Sequence, residues 1–78
     1  MKNPVKFMNK RKDPIFIYHV YDNSYLRIAI LDENESSLLN IPYDSHIVIK
    51  DVIIINDYVI PDKIISETRL QENHIVIQ

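Results

Sequence analysis

Glycine and cysteine are absent from this 78-residue chain, and alanine occurs once. Without glycine there is no P-loop, no dinucleotide fingerprint and no G-x-S-x-G nucleophile elbow, because each needs a bare backbone where the chain meets its ligand. Without cysteine there are no disulfide staples, thiolate nucleophiles or cysteine-based zinc sites. What replaces these residues is β-branched: 15 Ile and 6 Val point to sheet rather than helix. With 46% hydrophobic and 26% charged residues, the composition is that of a folded chain rather than a disordered one. The length allows one small domain with a thin core. The longest early apolar run, Ile15 to Val20, is interrupted by Tyr18 and His19 and is too short to span a membrane. No small-residue cleavage site follows it, so no signal peptide is expected and the expected compartment is the cytoplasm. The Ile-, Asn- and Lys-rich composition suggests an AT-rich genome, such as that of a virus or mobile element.

The net charge of −2 hides an asymmetry. Lys2, Lys6, Lys10, Arg11 and Lys12 stand in the first twelve residues with no acid among them, and all 11 acids follow. This predicts a flexible basic arm over residues 1–13, able to touch phosphate or an acidic partner, on a single acidic β-rich domain over residues 14–78. Asp13-Pro14 closes the arm, since the residue before proline avoids the helical region.

Residues 15–21 and 25–31 read as an antiparallel hairpin joined by Asp22-Asn23-Ser24. Alternation places Leu26, Ile28 and Ile30 on one face and Tyr25, Arg27 and Ala29 on the other. Residues 33–41 are open between a short helix capped by Asp32 and a loop leading to a strand at 37–41. His46–Ile49 is a strand that Lys50-Asp51 breaks or bulges. Val52-Ile53-Ile54-Ile55 has no polar position and reads as a central strand buried on both sides. Asn56-Asp57 is a two-residue hairpin turn, and Tyr58-Val59-Ile60 leaves it. Pro61 ends that segment or places it at an edge. Residues 62–73 read as a polar loop, and His74–Ile77 as a last strand. The expected core comprises Ile17, Leu26, Ile28, Ile30, Ile53, Ile55 and Ile75. Asp44–Ile49 echoes Glu72–Ile77, too little for a repeat architecture.

Few residues point to chemistry. His19, His46 and His74 stand at no recognised metal-ligand spacing. Asp44-Ser45-His46 has the letters of a catalytic triad, but consecutive residues of a strand point to opposite faces. Asp32, Glu33 and Glu35 lack the mid-loop glycine of a calcium-binding loop. No metal, cofactor or catalytic residue is therefore expected. The hairpin instead gathers Phe16, Tyr18, Tyr21, Tyr25 and Arg27. Such a set stacks bases on an open sheet face or packs cross-strand within a core or interface. Strand 15–21 is apolar on both faces, which a domain this small does not easily cover. That predicts a protein partner or a homo-oligomer.

Ile55-Asn56-Asp57-Tyr58-Val59-Ile60-Pro61, followed by Leu70-Gln71-Glu72-Asn73-His74 and Ile75-Val76-Ile77, resembles the closing stretch of the β-grasp, ubiquitin-like sulfur carriers. The resemblance implies a β-grasp-like α+β fold with a helix at Ser36-Ser37-Leu38-Leu39. The chain ends at Gln78 without that family's Gly-Gly tail, which implies an interaction scaffold rather than carrier chemistry. Phe7-Met8-Asn9, Pro14–Val20 and Ile47-Val48-Ile49-Lys50-Asp51 resemble the bacterial Sm-like RNA chaperones. That resemblance implies a small all-β barrel, with Lys50 as the nucleotide-contacting lysine and Tyr18 as a base-stacking tyrosine. The expected protein is thus mainly β, with the β-grasp-like arrangement favoured and an Sm/SH3-like barrel as the alternative. Its expected role is that of a non-enzymatic protein-interaction module, with RNA or DNA binding as the alternative.

Overall fold

A computed structural model describes residues 2–78, with side chains from Pro4 onward. Its described residues form seven strands and no helix: β1 Lys2–Asn9, β2 Ile15–Tyr21, β3 Ser24–Leu31, β4 Ser36–Pro42, β5 His46–Ile55, β6 Tyr58–Arg69 and β7 His74–Ile77. The protein is a small, mainly β domain of two sheets. One runs β4-β1-β7, with β1 antiparallel to β4 and parallel to β7. The other runs β3-β2-β5-β6 and is antiparallel throughout. Between them lies one apolar core. Val5 and Phe7 of β1, Ile41 of β4 and Ile77 of β7 meet Ile15 and Ile17 of β2, Ile47 and Ile49 of β5, Leu31 and Leu70. The period-2 geometry of strands accounts for most of this, since residues i and i+2 share a face. The echoed segments illustrate it: Ile47 and Ile49 enter the core from one sheet, and Ile75 and Ile77 from the other.

Asparagine and aspartate supply the backbone conformations for which other proteins use glycine. Among the described residues, those with positive φ are Asp22, Asn23, Asn34, Asp44, Asn56 and Asp57. Both central residues of the β2–β3 and β5–β6 turns are left-handed, as a type I′ hairpin requires. Their short polar side chains make that region tolerable to a residue bearing a Cβ.

Four expectations are corrected. Residues 2–9 are the central strand of a sheet rather than a flexible basic arm, because Val5 and Phe7 bury fully in the core. Alternation from Lys2 to Asn9 was masked by its positive charge. The helix that the β-grasp resemblance implies at 36–39 is absent: of the two forms open to residues 33–41 the structure takes the strand, Ser36–Pro42, with Leu39 and Ile41 turned inward and Leu38 outward. Residues 58–69 form one twelve-residue strand, so the polar loop shrinks to the few residues before β7. Finally, the expected core is only partly right. Ile17 is buried, and Ile28 and Ile75 pack against the core, but Leu26, Ile30, Ile53 and Ile55 are exposed. In β3 the cause is a bulge: Ile17 pairs with Ala29 and Tyr18 with Arg27, leaving Ile28 as the extra residue. A bulge reverses the facing of every residue beyond it. Ala29 and Leu31 therefore turn inward, and Ile30 pairs with Phe16 on the outer face.

Among the described residues Asn9 is the one fully buried polar side chain in the core region, and its hydrogen bonds are complete. Its Nδ2 donates to the carbonyls of Asp13 (2.9 Å) and Leu31 (3.0 Å), and its Oδ1 accepts from the Arg11 N–H at 2.8 Å. It fixes the crossing from β1 in one sheet to β2 in the other.

Candidate functional site

The outer face of the four-stranded sheet carries the residues that the sequence singled out. Phe16, Tyr18 and Val20 alternate with the core-facing residues of β2, and Val48 and Lys50 lie beside them on β5. The Lys50 ammonium lies 5.5 Å from the Tyr18 ring centroid and 5.2 Å from that of Tyr25. The Arg27 guanidinium lies 5.3 Å from the Phe16 centroid. Tyr18 and Tyr25 meet edge to face at 5.9 Å. Cations over ring faces are attracted by the ring quadrupole.

Lys50, Tyr18, Tyr25, Arg27 and Phe16 are therefore brought together, but not as an open stacking platform. Phe16 and Tyr18 are buried, so the expectation that they form an exposed interaction surface is corrected. The aliphatic stems of long cationic side chains cover apolar surface while their heads stay wet. Here Lys50 and Arg27 lid the rings that a base would need. Tyr25 remains about half exposed, and Tyr21 lies off the cluster, near His19, and is open to solvent.

The basic residues of the first twelve positions do not join this face, whereas Arg69, paired with His46 on β6, shares it. Lys6 points away from the core on β1, in the other sheet, and is exposed. Lys10, Arg11 and Lys12 occupy the β1–β2 connection, where Arg11 Nη1 donates to the Gln78 carbonyl at 3.3 Å. The side chain of Lys2 lies outside the described positions. Among the described residues no group of three or more His, Cys, Asp or Glu side chains converges to hold a metal ion. Ser45 Oγ donates to the Pro42 carbonyl at 2.6 Å, while His46 Nε2 meets Glu67 Oε2 across the sheet. Ser45 and His46 thus have separate partners, and no triad forms. Glu35 Oε1 accepts from the Asp32 N–H at 2.9 Å, so one acid of the 32–35 cluster closes its own turn.

The feature that sequence reasoning missed is the far half of the β5–β6 hairpin. β2 pairs with β5 only up to Lys50, and beyond that point β5 and β6 pair with each other alone. Two register shifts mark the base of this arm, where Asp51 Oδ1 accepts from the Lys63 N–H at 2.6 Å. At about 3.4 Å per residue the arm extends roughly 17 Å past the end of β2. Paired residues share a face. Val52, Ile54, Val59 and Pro61 therefore form one side, and Ile53, Ile55, Tyr58 and Ile60 the other. Apart from Val52, which packs beside the outer-face cluster, all are exposed, with Ile54 at 60% and Tyr58 at 72%. The expected doubly buried central strand is thus a doubly exposed arm. The four consecutive apolar residues carried the signal correctly, since both faces are apolar. What covers them was not specified.

The open side of the sandwich holds a second apolar feature. β3 and β4 are edge strands of different sheets, and between them lies a groove of about 370 Å³. Leu26, Ile28, Leu39, Ile41, Pro42 and His19 line it. No helix among the described residues is long and apolar enough to cross a membrane. Compared with known proteins, the chain matches no protein-family model, no curated protein and no solved structure.

Proposed function

We propose that this protein is a non-enzymatic protein-interaction module of the cytoplasm, acting without a cofactor, and that the 52–61 arm is its contact element. One observation carries this reading: ten consecutive residues form a two-stranded hairpin that is apolar on both faces, pairs with no other strand and, apart from Val52 at its base, is exposed. An isolated two-stranded hairpin is marginal in water. Contiguous exposed apolar surface on a small domain marks an interaction site. The turn residues Asn56 and Asp57 keep the tip polar, and the bulges at the base aim the arm away from the body.

Nucleic-acid binding is the second reading, favoured by the two cations and three aromatic rings on the outer sheet face. Two facts weigh against it. Lys50 and Arg27 are engaged with the rings, and Lys6, Lys10, Arg11 and Lys12 lie in or beside β1, away from this face.

One pair of measurements separates the readings. A photo-crosslinking amino acid is placed at Ile54 and, separately, at Tyr25, while mixed oligonucleotides are titrated against the protein by fluorescence anisotropy. Crosslinks to polypeptide from position 54, with no oligonucleotide affinity beyond the micromolar range of non-specific binding, are expected. Tighter oligonucleotide binding that is lost in Lys50→Ala and weakens steeply with salt would establish the second reading instead.

A further inference from the structure

Resting on the arm as the contact element, we infer that its protein partner supplies an extended segment in which carboxylates precede apolar side chains, laid along the outer face of β5 from Lys50 and Arg27 to the arm. An unbalanced charge points to the carboxylates. The paired positions of that face between β3 and the base of the arm hold Arg27, Lys50 and Arg69, with Glu67 and His46. Glu67 meets His46, the one ion pair among the described residues. Arg69 donates to the Asp44 carbonyl, a neutral acceptor, and the Asp51 carboxylate beside Lys50 takes the Lys63 N–H. Lys50 and Arg27 thus pair with no carboxylate among the described residues, on a chain whose net charge is −2.

These two cations converge over β2. Lys50 stands opposite Phe16 yet reaches the Tyr18 ring, and Arg27 stands opposite Tyr18 yet reaches the Phe16 ring. The two ring centroids are 6.4 Å apart. Arg27 is exposed and Lys50 half-buried, so their outward N–H groups remain open to an acceptor. Like charges held together repel, and a carboxylate placed beside both relieves that repulsion through charge-assisted hydrogen bonds. The same face continues into the arm. Val52 packs against Phe16, Tyr18 and Val48, and Ile54, Val59 and Pro61 follow on its side. Lys50, Val52 and Ile54 therefore recur at about 6.8 Å, the two-residue repeat of a strand. An extended segment has the same repeat, so a carboxylate with apolar side chains two and four residues later meets the three in turn.

Two other anionic partners fit this surface less well. Nucleic acid stacks its bases on bare rings, and here the cation stems cover them. An anionic bilayer would receive the arm tip first, and Asp57 stands at that tip beyond the last apolar pair, Ile55 and Tyr58. A carboxylate carried into hydrocarbon is costly.

The test titrates the full chain against a fluorescein-labelled peptide, two glutamates and then two valines, each alternating with threonine, and follows anisotropy. Control peptides carry lysine for glutamate or serine for valine. The glutamate–valine peptide is expected to bind at least about tenfold tighter than either control, and to weaken as NaCl rises. Lys50→Met and Arg27→Met keep an unbranched stem over the rings and remove only the charge. Each lowers affinity for the glutamate–valine peptide about fivefold and raises affinity for the lysine control. Ile54→Ser, at an exposed position, lowers affinity for the glutamate–valine peptide as well, and circular dichroism checks the fold of every variant. Equal affinity for the glutamate and lysine peptides, or Met variants that bind like wild type, would overturn the acidic segment. Crosslinks from Ile54 to polypeptide would in that case still uphold the arm as contact element, so the two failures are distinguishable. Tighter binding of oligothymidylate or of phosphatidylserine vesicles than of the glutamate–valine peptide would overturn the polypeptide segment.

Discussion

Replacing Asn9 probes the joint on which the two-sheet arrangement turns. Asn9→Ala removes three hydrogen bonds and leaves the Leu31 and Asp13 carbonyls and the Arg11 N–H without their partner. The bond to Leu31 is buried, so its loss costs the full penalty of an unsatisfied group, about 1–3 kcal/mol. The other two are partly buried, and water recovers part of each, leaving about 0.5–1 kcal/mol apiece. The expected cost is therefore about 2–5 kcal/mol, against a total stability of about 4–12 kcal/mol for 78 residues. Asn9→Asp is worse at neutral pH, because a carboxylate oxygen replaces the donor between two carbonyls. It also acquires a pH dependence that Asn9→Ala lacks. The buried carboxylate between carbonyls has its folded pKa raised above the unfolded value of about 3.9. Protonation then favours the folded state: the benefit is full below the unfolded pKa and is lost as pH rises through the folded pKa. Urea unfolding followed by circular dichroism at pH 7 and near pH 3 measures both effects. The stability of Asn9→Asp relative to Asn9→Ala should rise on acidification. Equal stability of Asn9→Asp and wild type at pH 7, or no pH dependence relative to Asn9→Ala, would refute the hydrogen-bond roles assigned to this side chain.

In dilute protein, Ile17→Ala or Ile49→Ala should cost about 2–5 kcal/mol by transfer plus cavity terms, whereas Ile54→Ala, on the exposed arm, should change urea stability by less than about 0.5 kcal/mol. Equal costs would place residues 52–55 in a buried strand. Asp57→Val should destabilise the β5–β6 turn by about 1–2 kcal/mol, because a β-branched residue resists the left-handed conformation. Asp57→Gly should be tolerated, as thermal melts of the pair will show. Lys50→Ala should uncover the Tyr18 ring, raising the collisional quenching of tyrosine fluorescence by acrylamide. Unchanged quenching would contradict the lid role of that lysine.

The sequence by itself determined the mainly β class, because 15 Ile and 6 Val without glycine leave little else that a chain this short can build. It determined the two Asx hairpin turns, because Asp22-Asn23 and Asn56-Asp57 are the residues that accept positive φ at low cost. Of the core it singled out Ile17, with Ile28 and Ile75 packed against it, but not Ile47, Ile49 or Ile77. Only the tertiary structure decided which apolar faces are covered. Alternation states that a face is apolar, but the partner that buries it comes from strands distant in sequence. Ile53 and Ile55 thus point to solvent because β2 ends its pairing at Lys50. Phe16 and Tyr18 are buried because Lys50 and Arg27 fold over them. Likewise, Lys2 to Asn9 reads as charged from its lysines, yet it is a central strand because Val5 and Phe7, on its other face, meet a second sheet. The bulge at Ile28 follows the same rule. One extra residue against β2 exchanges Ile30 for Leu31 in the core, and nothing local to β3 encodes that count.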